Sequence, residues 1–145
     1  MRRNAILWGT ALLLGLGIGF ARQKDNAQAP EAAQPPASAD DAAKKNPVKP
    51  TPEGLAEAKR LYGYHCAMCH GKDGDGKGDL AVSMDLKLHD WRDPTTIEKM
   101  TDGELFYIIT NGRGKMVGGE GDRTKEQTRW NLVNLVRSFG KKSGT

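Results

Sequence analysis

The chain has 145 residues, 37% of them hydrophobic, which is enough for one domain with attachments but too lean for a large core without other support. Lys and Arg total 22 against 18 Asp and Glu, and most of this excess precedes Glu53. The rest of the chain is nearly neutral, without the clustered positive charge and aromatic platforms of nucleic-acid binding proteins.

Residues 1–21 have the layout of an export signal. Arg2 and Arg3 precede an apolar run over residues 5–21, and Ala21 ends a weak small-residue cleavage site. The run of about 17 residues is at the short end for a membrane-spanning helix, so a cleaved signal and a retained anchor both stay open. No cysteine follows the run, which excludes a lipoprotein anchor. Either outcome predicts a periplasmic or otherwise extracytoplasmic protein.

Residues 22–51 differ in composition, being rich in Ala, Pro, Gln, Lys and Asp. Such a segment buries too little apolar surface to offset the entropy of ordering it, and we expect a disordered linker. If residues 5–21 are retained in the membrane, this linker would tether the following domain to it.

The remaining residues, 52–145, are predicted to form an all-α domain. Thr51 and Pro52 suit the start of a helix that runs into the cysteine pair. Two later segments, residues 101–104 and 124–127, have the pattern of a capping box before an apolar helix. Gly112 and Gly140 are predicted to end these helices. No alternation typical of strands competes with this interpretation.

The two cysteines of the chain lie in the sequence Cys66-Ala67-Met68-Cys69-His70. Residues three apart share one face of a helical turn, so both thiols can add to the two vinyl groups of one haem. His70 is then directed at the iron, and this pentapeptide is a known haem-attachment motif. A thioredoxin-like dithiol would need a neighbouring βαβ unit, and a structural zinc site would need a fourth ligand.

The stretch from Thr51 to the end resembles a class I c-type cytochrome of the small bacterial monohaem kind. The segments that carry the resemblance are the haem-attachment motif with Ala58 and Tyr62, the glycine-rich loop 73–79, residues 111–116 and residues 130–139. The resemblance implies a cytochrome c-like helical domain, with its first and last helices crossing, around one covalently bound haem c. It also implies a methionine as the sixth ligand of the iron.

Four methionines are candidates for that ligand. Met68 lies inside the motif and cannot turn onto the far haem face, and Met100 is better suited to fill core space. Met84 would need a tight return from the haem-binding segment. Met116 follows a helix end and lies where the family places its ligand, so we assign the axial ligands to His70 and Met116.

Several features depart from the family. Val117, Gly118 and Gly119 follow Met116 where proline is usual, which predicts a looser loop. His89 is an alternative nitrogen ligand, whereas His65 is expected to be a surface imidazole pointing away from the haem. The residues that follow the glycine loop lack the proline whose carbonyl often accepts the second N–H of the axial histidine, and another backbone carbonyl is expected to replace it.

Two further residues have a candidate role at the haem. Trp91 and Arg92 suit the haem edge or its propionates, because an indole N–H and a guanidinium both bind carboxylates. The alternative places Trp91 in the ordinary core and Arg92 on the surface.

A haem with histidine and methionine ligands offers no open position to a substrate, so the sequence predicts an electron carrier and not an enzyme. Expected partners are redox proteins, such as a quinol-oxidising complex, a dehydrogenase or a terminal oxidase. One alternative is a haem-based peroxidase or small-gas-binding protein in which Met116 dissociates. Another is a purely structural haem subunit of a larger assembly.

Overall fold

The computed structural model describes residues 35–141. The predicted signal or anchor over residues 1–21 and the first part of the predicted linker lie outside these residues. No helix within residues 35–141 is long and apolar enough to cross a membrane. The elements, in chain order, are α1 (Ala39–Ala43), α2 (Pro52–His65), α3 (Ala67–His70), α4 (Asp79–Ser83), α5 (Pro94–Ile97), α6 (Asp102–Asn111), β1 (Gly112–Arg113), β2 (Met116–Val117), α7 (Glu120–Arg123) and α8 (Glu126–Phe139).

The predicted starts of α2 and α6 are confirmed. The Thr51 hydroxyl accepts a hydrogen bond from the Gly54 amide, with Pro52 as the first helical residue. Thr101 and Glu104 form a complete capping box, in which each side chain bonds the other residue's backbone amide. These contacts pair amides that a helix leaves without internal partners, so they fix where α2 and α6 begin.

The capping box predicted over residues 124–127 is wrong. Helix α8 begins after Lys125, which contributes no side-chain cap. The Thr124 hydroxyl instead donates to the Glu120 carbonyl, so it closes α7. Glu126 accepts a hydrogen bond from the Trp130 indole N–H one turn later. Thr124, which was predicted to cap α8, therefore belongs to the end of α7, a short helix that the sequence pattern did not predict.

A two-stranded antiparallel hairpin follows α6 and is the one departure from an all-helical reading of the described residues. It pairs Gly112 with Val117 and Arg113 with Met116. At Gly112 φ is 83°, and a Cβ there would lie 2.3 Å from the Met116 carbonyl oxygen, so only glycine permits this close crossing. Strands of two residues are too short for an alternating pattern to reveal them.

The first long helix, α2, packs across the last one, α8, as the resemblance implies. Their shared core consists of Ala58, Tyr62, Leu132 and Leu135, with Phe139 against its edge. The Tyr62 and Phe139 rings meet at 5.3 Å between centroids. Tyr62 and Phe139 thus supply the aromatic bulk of this core. This core holds the carboxyl end of α2, where the haem-attachment motif begins.

A second core lies on the other side of α8 and faces α6. Trp130, Val133 and Val136 of α8 pack there with Ile97 and Leu105. Helix α8 therefore buries two faces, which explains why hydrophobic residues follow one another so closely along it. The two cores together place α2 and α6 on a common support.

The disordered linker predicted over residues 22–51 is corrected for its described part. Residues 35–51 form α1 and then run along α6 and α8. The Asn46 amide donates to the Trp130 carbonyl and to Asn134 Oδ1, and Asn134 donates back to the Val48 carbonyl. Val48 also packs on the second core. These side-chain to backbone hydrogen bonds stabilise a polar segment whose composition alone predicts disorder.

Replacing Asn46 with alanine should lower the free energy of unfolding by about 1–3 kcal/mol, because the variant leaves partly buried groups on α8 without their partner. Chemical denaturation of the full-length protein measures the effect. Lys45→Ala is the control, since this neighbouring side chain is exposed and makes no hydrogen bond among the described residues. Equal stability of the two variants would show that the Asn46 hydrogen bonds do not stabilise the domain.

Candidate functional site

The haem-attachment motif forms one compact helical turn directly after α2. The Cys66 amide donates to the Tyr62 carbonyl and so continues the hydrogen bonding of α2. The amides of Cys69 and His70 both donate back to the Cys66 carbonyl, at 3.1 and 2.9 Å. Cys66 and Cys69 are unpaired and half-buried. Their spacing of three residues on this turn is the arrangement that the sequence predicted.

The segment after the motif is tied to the core through Tyr62. Its hydroxyl donates to the Gly71 carbonyl at 2.7 Å, and burial raises the pKa of this phenol. The glycine-rich loop then returns over the turn, where the Gly76 amide donates to the His70 carbonyl and the Gly78 amide to the Cys69 carbonyl. A Cβ at Gly78 would lie 2.2 Å from the Met68 carbonyl oxygen. The loop therefore closes tightly behind the motif.

The chemistry of the Cys66 thiol does not fit a redox-active dithiol. Burial, followed by the nearby Glu120 and Cys69, raises the pKa of Cys66 to about 12. Reactive dithiols instead have lowered pKa values near cationic groups or helix amino termini. Among residues 35–141 no three His, Cys, Asp or Glu side chains are grouped to hold a metal ion, so a zinc site has no support either.

His70 is presented as a neutral imidazole. Desolvation by burial lowers the pKa of this side chain to about 4. The ring is therefore uncharged near neutral pH and can donate a lone pair to iron. Its ring stacks on Trp91 with centroids 4.2 Å apart and planes 20° from parallel. Trp91 also packs against both cores, so it fixes the orientation of the His70 ring.

The backbone carbonyl expected to accept the second N–H of His70 is not found. His70 Nδ1 is buried and has no hydrogen-bond partner among the described residues. In the segment after the glycine loop, the Leu80 carbonyl accepts from the Met84 amide and the Ser83 hydroxyl within α4. Where the family has proline, this chain continues into a helical turn that takes up its own carbonyls. Stacking on Trp91 is the orienting contact that His70 has instead.

Arg92 lies on the surface, where it pairs with Asp90 at 2.6 Å. Hydrogen bonds from Arg92 lower the pKa of Asp90 to about 2. Of the two candidate propionate residues, Trp91 thus contacts His70, the predicted axial ligand, and Arg92 is engaged by a neighbouring carboxylate.

The methionines occupy different environments. Met68 and Met84 are 56% and 50% exposed, and Met100 packs on the second core as expected. Met116 is half-buried in strand β2, opposite Arg113. The predicted loose loop is therefore a hydrogen-bonded hairpin. His89, the alternative nitrogen ligand, is exposed.

A contact that the sequence analysis missed joins His65 to Glu120. His65 Nδ1 lies 2.8 Å from Glu120 Oε1, and the Glu120 side chain is only 10% exposed. His65 is exposed, as expected of a surface imidazole, but it is paired with a carboxylate. Nothing in the sequence marks two residues 55 positions apart as partners. An acidic residue that the fold buries becomes recognisable only once α7 is placed against α6 and α8.

Together these residues fit a covalently attached haem. Two reduced thiols lie on one turn, and the following imidazole is neutral and is oriented by Trp91. Cys66 and Cys69 would hold the haem, and His70 would ligate its iron. The site thus defines a helical domain of the kind that carries haem through thioether bonds.

Comparison with known proteins agrees with this class. The sequence model of the family described as cytochrome c matches residues 55–140, and the chain therefore belongs to the cytochrome c family. The resemblance noted from the motif and the segments after it is confirmed. No curated protein matches the chain.

Solved structures show the same similarity. The KustC0563 c-type cytochrome aligns with a TM-score of 0.50 and 26% identity, over 58% of this chain and 98% of its own. A chain of the Kuenenia stuttgartiensis reducing HAO-like protein complex Kustc0457/Kustc0458 aligns with a TM-score of 0.52 and 22% identity. That alignment covers 66% of this chain and 47% of the other, so this chain spans about half its length. The second likeness concerns the fold alone.

Replacing both Cys66 and Cys69 with alanine should abolish covalent attachment, because no other thiol is present in the chain. The haem should then be extracted from the unfolded variant by acidified organic solvent, whereas it should stay on the wild-type polypeptide. Met68→Leu is the matched control, since it changes the same turn but neither thiol. Haem that resists extraction from the double variant would contradict the assignment.

Proposed function

We propose that this protein is a monohaem c-type cytochrome that passes single electrons between redox proteins on the outer side of the cytoplasmic membrane. The observation that carries the proposal is the turn of Cys66, Cys69 and His70, in a chain of the cytochrome c family. When bound, the haem supplies a one-electron couple between ferric and ferrous iron.

The residues of the chain have separate roles in this proposal. Cys66 and Cys69 hold one haem c through thioether bonds, and His70 provides one axial ligand. Met116 provides the other, and a thioether ligand favours the ferrous state. Two protein ligands leave no position for a substrate, which suits a carrier and not an enzyme. Met116 lies in a hydrogen-bonded hairpin, which would keep its position similar in the ferric and ferrous states.

The location rests on the sequence pattern of residues 1–21. Haem attachment of this kind takes place after export, which agrees with a periplasmic or extracytoplasmic site. If the apolar segment is retained, only residues 22–34 remain as a tether, since residues 35–51 lie against the domain. The domain would then be tethered to the membrane surface through these residues.

The partners in this proposal are electron-donating and electron-accepting proteins. A quinol-oxidising complex, a dehydrogenase or a terminal oxidase would suit a carrier at that surface. The similar chain in the reducing HAO-like protein complex is consistent with a second arrangement, in which the same domain serves as a subunit of a redox complex. Both arrangements use the same electron-transfer chemistry.

Replacing Met116 with alanine should convert a low-spin haem to a high-spin one that binds carbon monoxide in the ferrous state. Removal of the thioether leaves one axial position without a protein ligand, and absorption spectroscopy detects the change. The wild-type ferrous spectrum should be unaffected by carbon monoxide. Rapid binding of carbon monoxide to the wild type would instead favour a gas-binding or peroxidase function.

Met84→Ala and Met100→Leu are the matched controls for this experiment. Met84 is exposed and Met100 packs on the second core, so neither change should alter the spin state. If Met116→Ala leaves both spectra unchanged, Met116 is not the ligand. If Met84→Ala produces the high-spin spectrum, the sixth ligand is Met84.

A further inference from the structure

The segment that carries Met116 is attached to the domain mainly at its two ends. It leaves α6 at Gly112 and forms the hairpin, and the Gly119 amide then returns to the Thr110 carbonyl at 3.3 Å. Between these points Val117 is 73% exposed. Where the family has a stiffening proline after the methionine, this chain has Val117 and two glycines. The position of Met116 therefore depends on what holds the segment beyond Gly119.

Helix α7 provides that attachment, and α8 fixes its backbone. Arg129 of α8 donates from Nη1 to the carbonyls of Glu120, Gly121 and Thr124, at 3.3, 3.2 and 2.6 Å. The Thr124 hydroxyl also donates to the Glu120 carbonyl. These bonds hold the turn itself, but none of them connects it to the haem-attachment side of the site.

That connection is made by the Glu120 side chain. Its Oε1 lies 2.8 Å from Nδ1 of His65, the last residue of α2 and the direct neighbour of Cys66. Arg123 is farther away, at 3.5 Å, and is 60% exposed. Glu120 Oε2 is buried without a hydrogen-bond partner among the described residues. The Glu120 carboxylate thus depends chiefly on His65 to compensate for its burial.

From this geometry we infer that the His65–Glu120 pair is a positioning contact that fastens the Met116 segment to the haem-attachment turn. The inference rests on the proposed function, in which Met116 ligates the iron. One end of the pair is covalently adjacent to the first thioether cysteine, and the other lies four residues after Met116. The pair therefore fixes the distance between the two halves of the site and slows dissociation of the Met116 thioether.

The test measures imidazole binding to the ferric holoprotein. At saturating imidazole the rate reaches a limit set by dissociation of the protein ligand. His65→Ala and Glu120→Ala should each raise this limiting rate on the order of ten- to a hundredfold, the factor expected for a hydrogen bond to a charged group. The double variant should be no faster than the faster single variant, because both substitutions remove the same contact.

Two further variants separate positioning from general stability. His65→Asn keeps a donor near the place of Nδ1 and should return the limiting rate toward the wild-type value. Asp102→Asn removes a partly exposed ion pair with Arg137, 2.9 Å long, at the opposite end of α6 from the hairpin. This control should lower resistance to denaturant while leaving the limiting rate unchanged.

Limiting rates within twofold of the wild type in both alanine variants would overturn the inference, whatever their stability. An equal rise in Asp102→Asn would also overturn it, because the effect would then follow stability alone. Failure of the proposed function gives a different result, since Met116→Ala would leave the spectrum and the imidazole kinetics as they are in the wild type.

Discussion

The site depends on the packing of α2 across α8. Ala58 and Tyr62 bury one face of α2 against Leu132 and Leu135, and this core determines where α2 ends. Because the haem-attachment turn continues the hydrogen bonding of α2, its two thiols and its imidazole take their places from that packing. Tyr62 extends the constraint through its bond to the Gly71 carbonyl, which holds the chain beyond His70. The packing of α2 on α8 thus determines where the two thiols and the imidazole lie.

Helix α8 joins the two halves of the site. One of its faces supports α2, and the other supports α6 and hence the hairpin of Met116. Arg129, also on α8, holds the turn that follows the hairpin. A change in α8 would therefore disturb both proposed axial ligands together. By contrast, the His65–Glu120 pair bypasses α8 and links the two halves directly.

Trp91 orients His70, the proposed axial ligand, by stacking and not by a hydrogen bond. An imidazole that binds a metal commonly donates its second N–H to an oxygen, which also increases its basicity. In this structure Leu80 and its neighbours use their carbonyls within α4, and the His70 ring is held by stacking. Stacking restricts rotation of the ring without accepting its proton. We therefore expect the imidazole to be a weaker electron donor to iron than one bound to a carboxylate.

Much of this fold was predictable because its signals are local. The bond from the Gly54 amide to Thr51 and the capping box of Thr101 and Glu104 involve residues three apart, and the haem motif lies within a single turn. The failures have the opposite character. Composition alone predicted disorder for residues 35–51, whereas Asn46 binds Asn134, 88 positions away. The contact of His65 with Glu120 was not predicted for the same reason, because the two residues are 55 positions apart in the sequence.

Near the ligand hairpin, local chemistry itself was ambiguous. Thr124 fits a cap equally well as the first residue of one helix or the closing residue of another, and the structure selects the second role. The glycines around Met116 suggested flexibility, yet Gly112 permits a close antiparallel crossing. A glycine is required both by mobile segments and by tightly crossed ones, so its presence could not decide between them.

The most direct test of the central claim is the intact mass of the wild-type protein, exported, purified and then unfolded. We expect the polypeptide mass plus that of one haem, with the added mass on the peptide that contains Cys66 and Cys69. A mature protein whose unfolded mass is that of the polypeptide alone would contradict it.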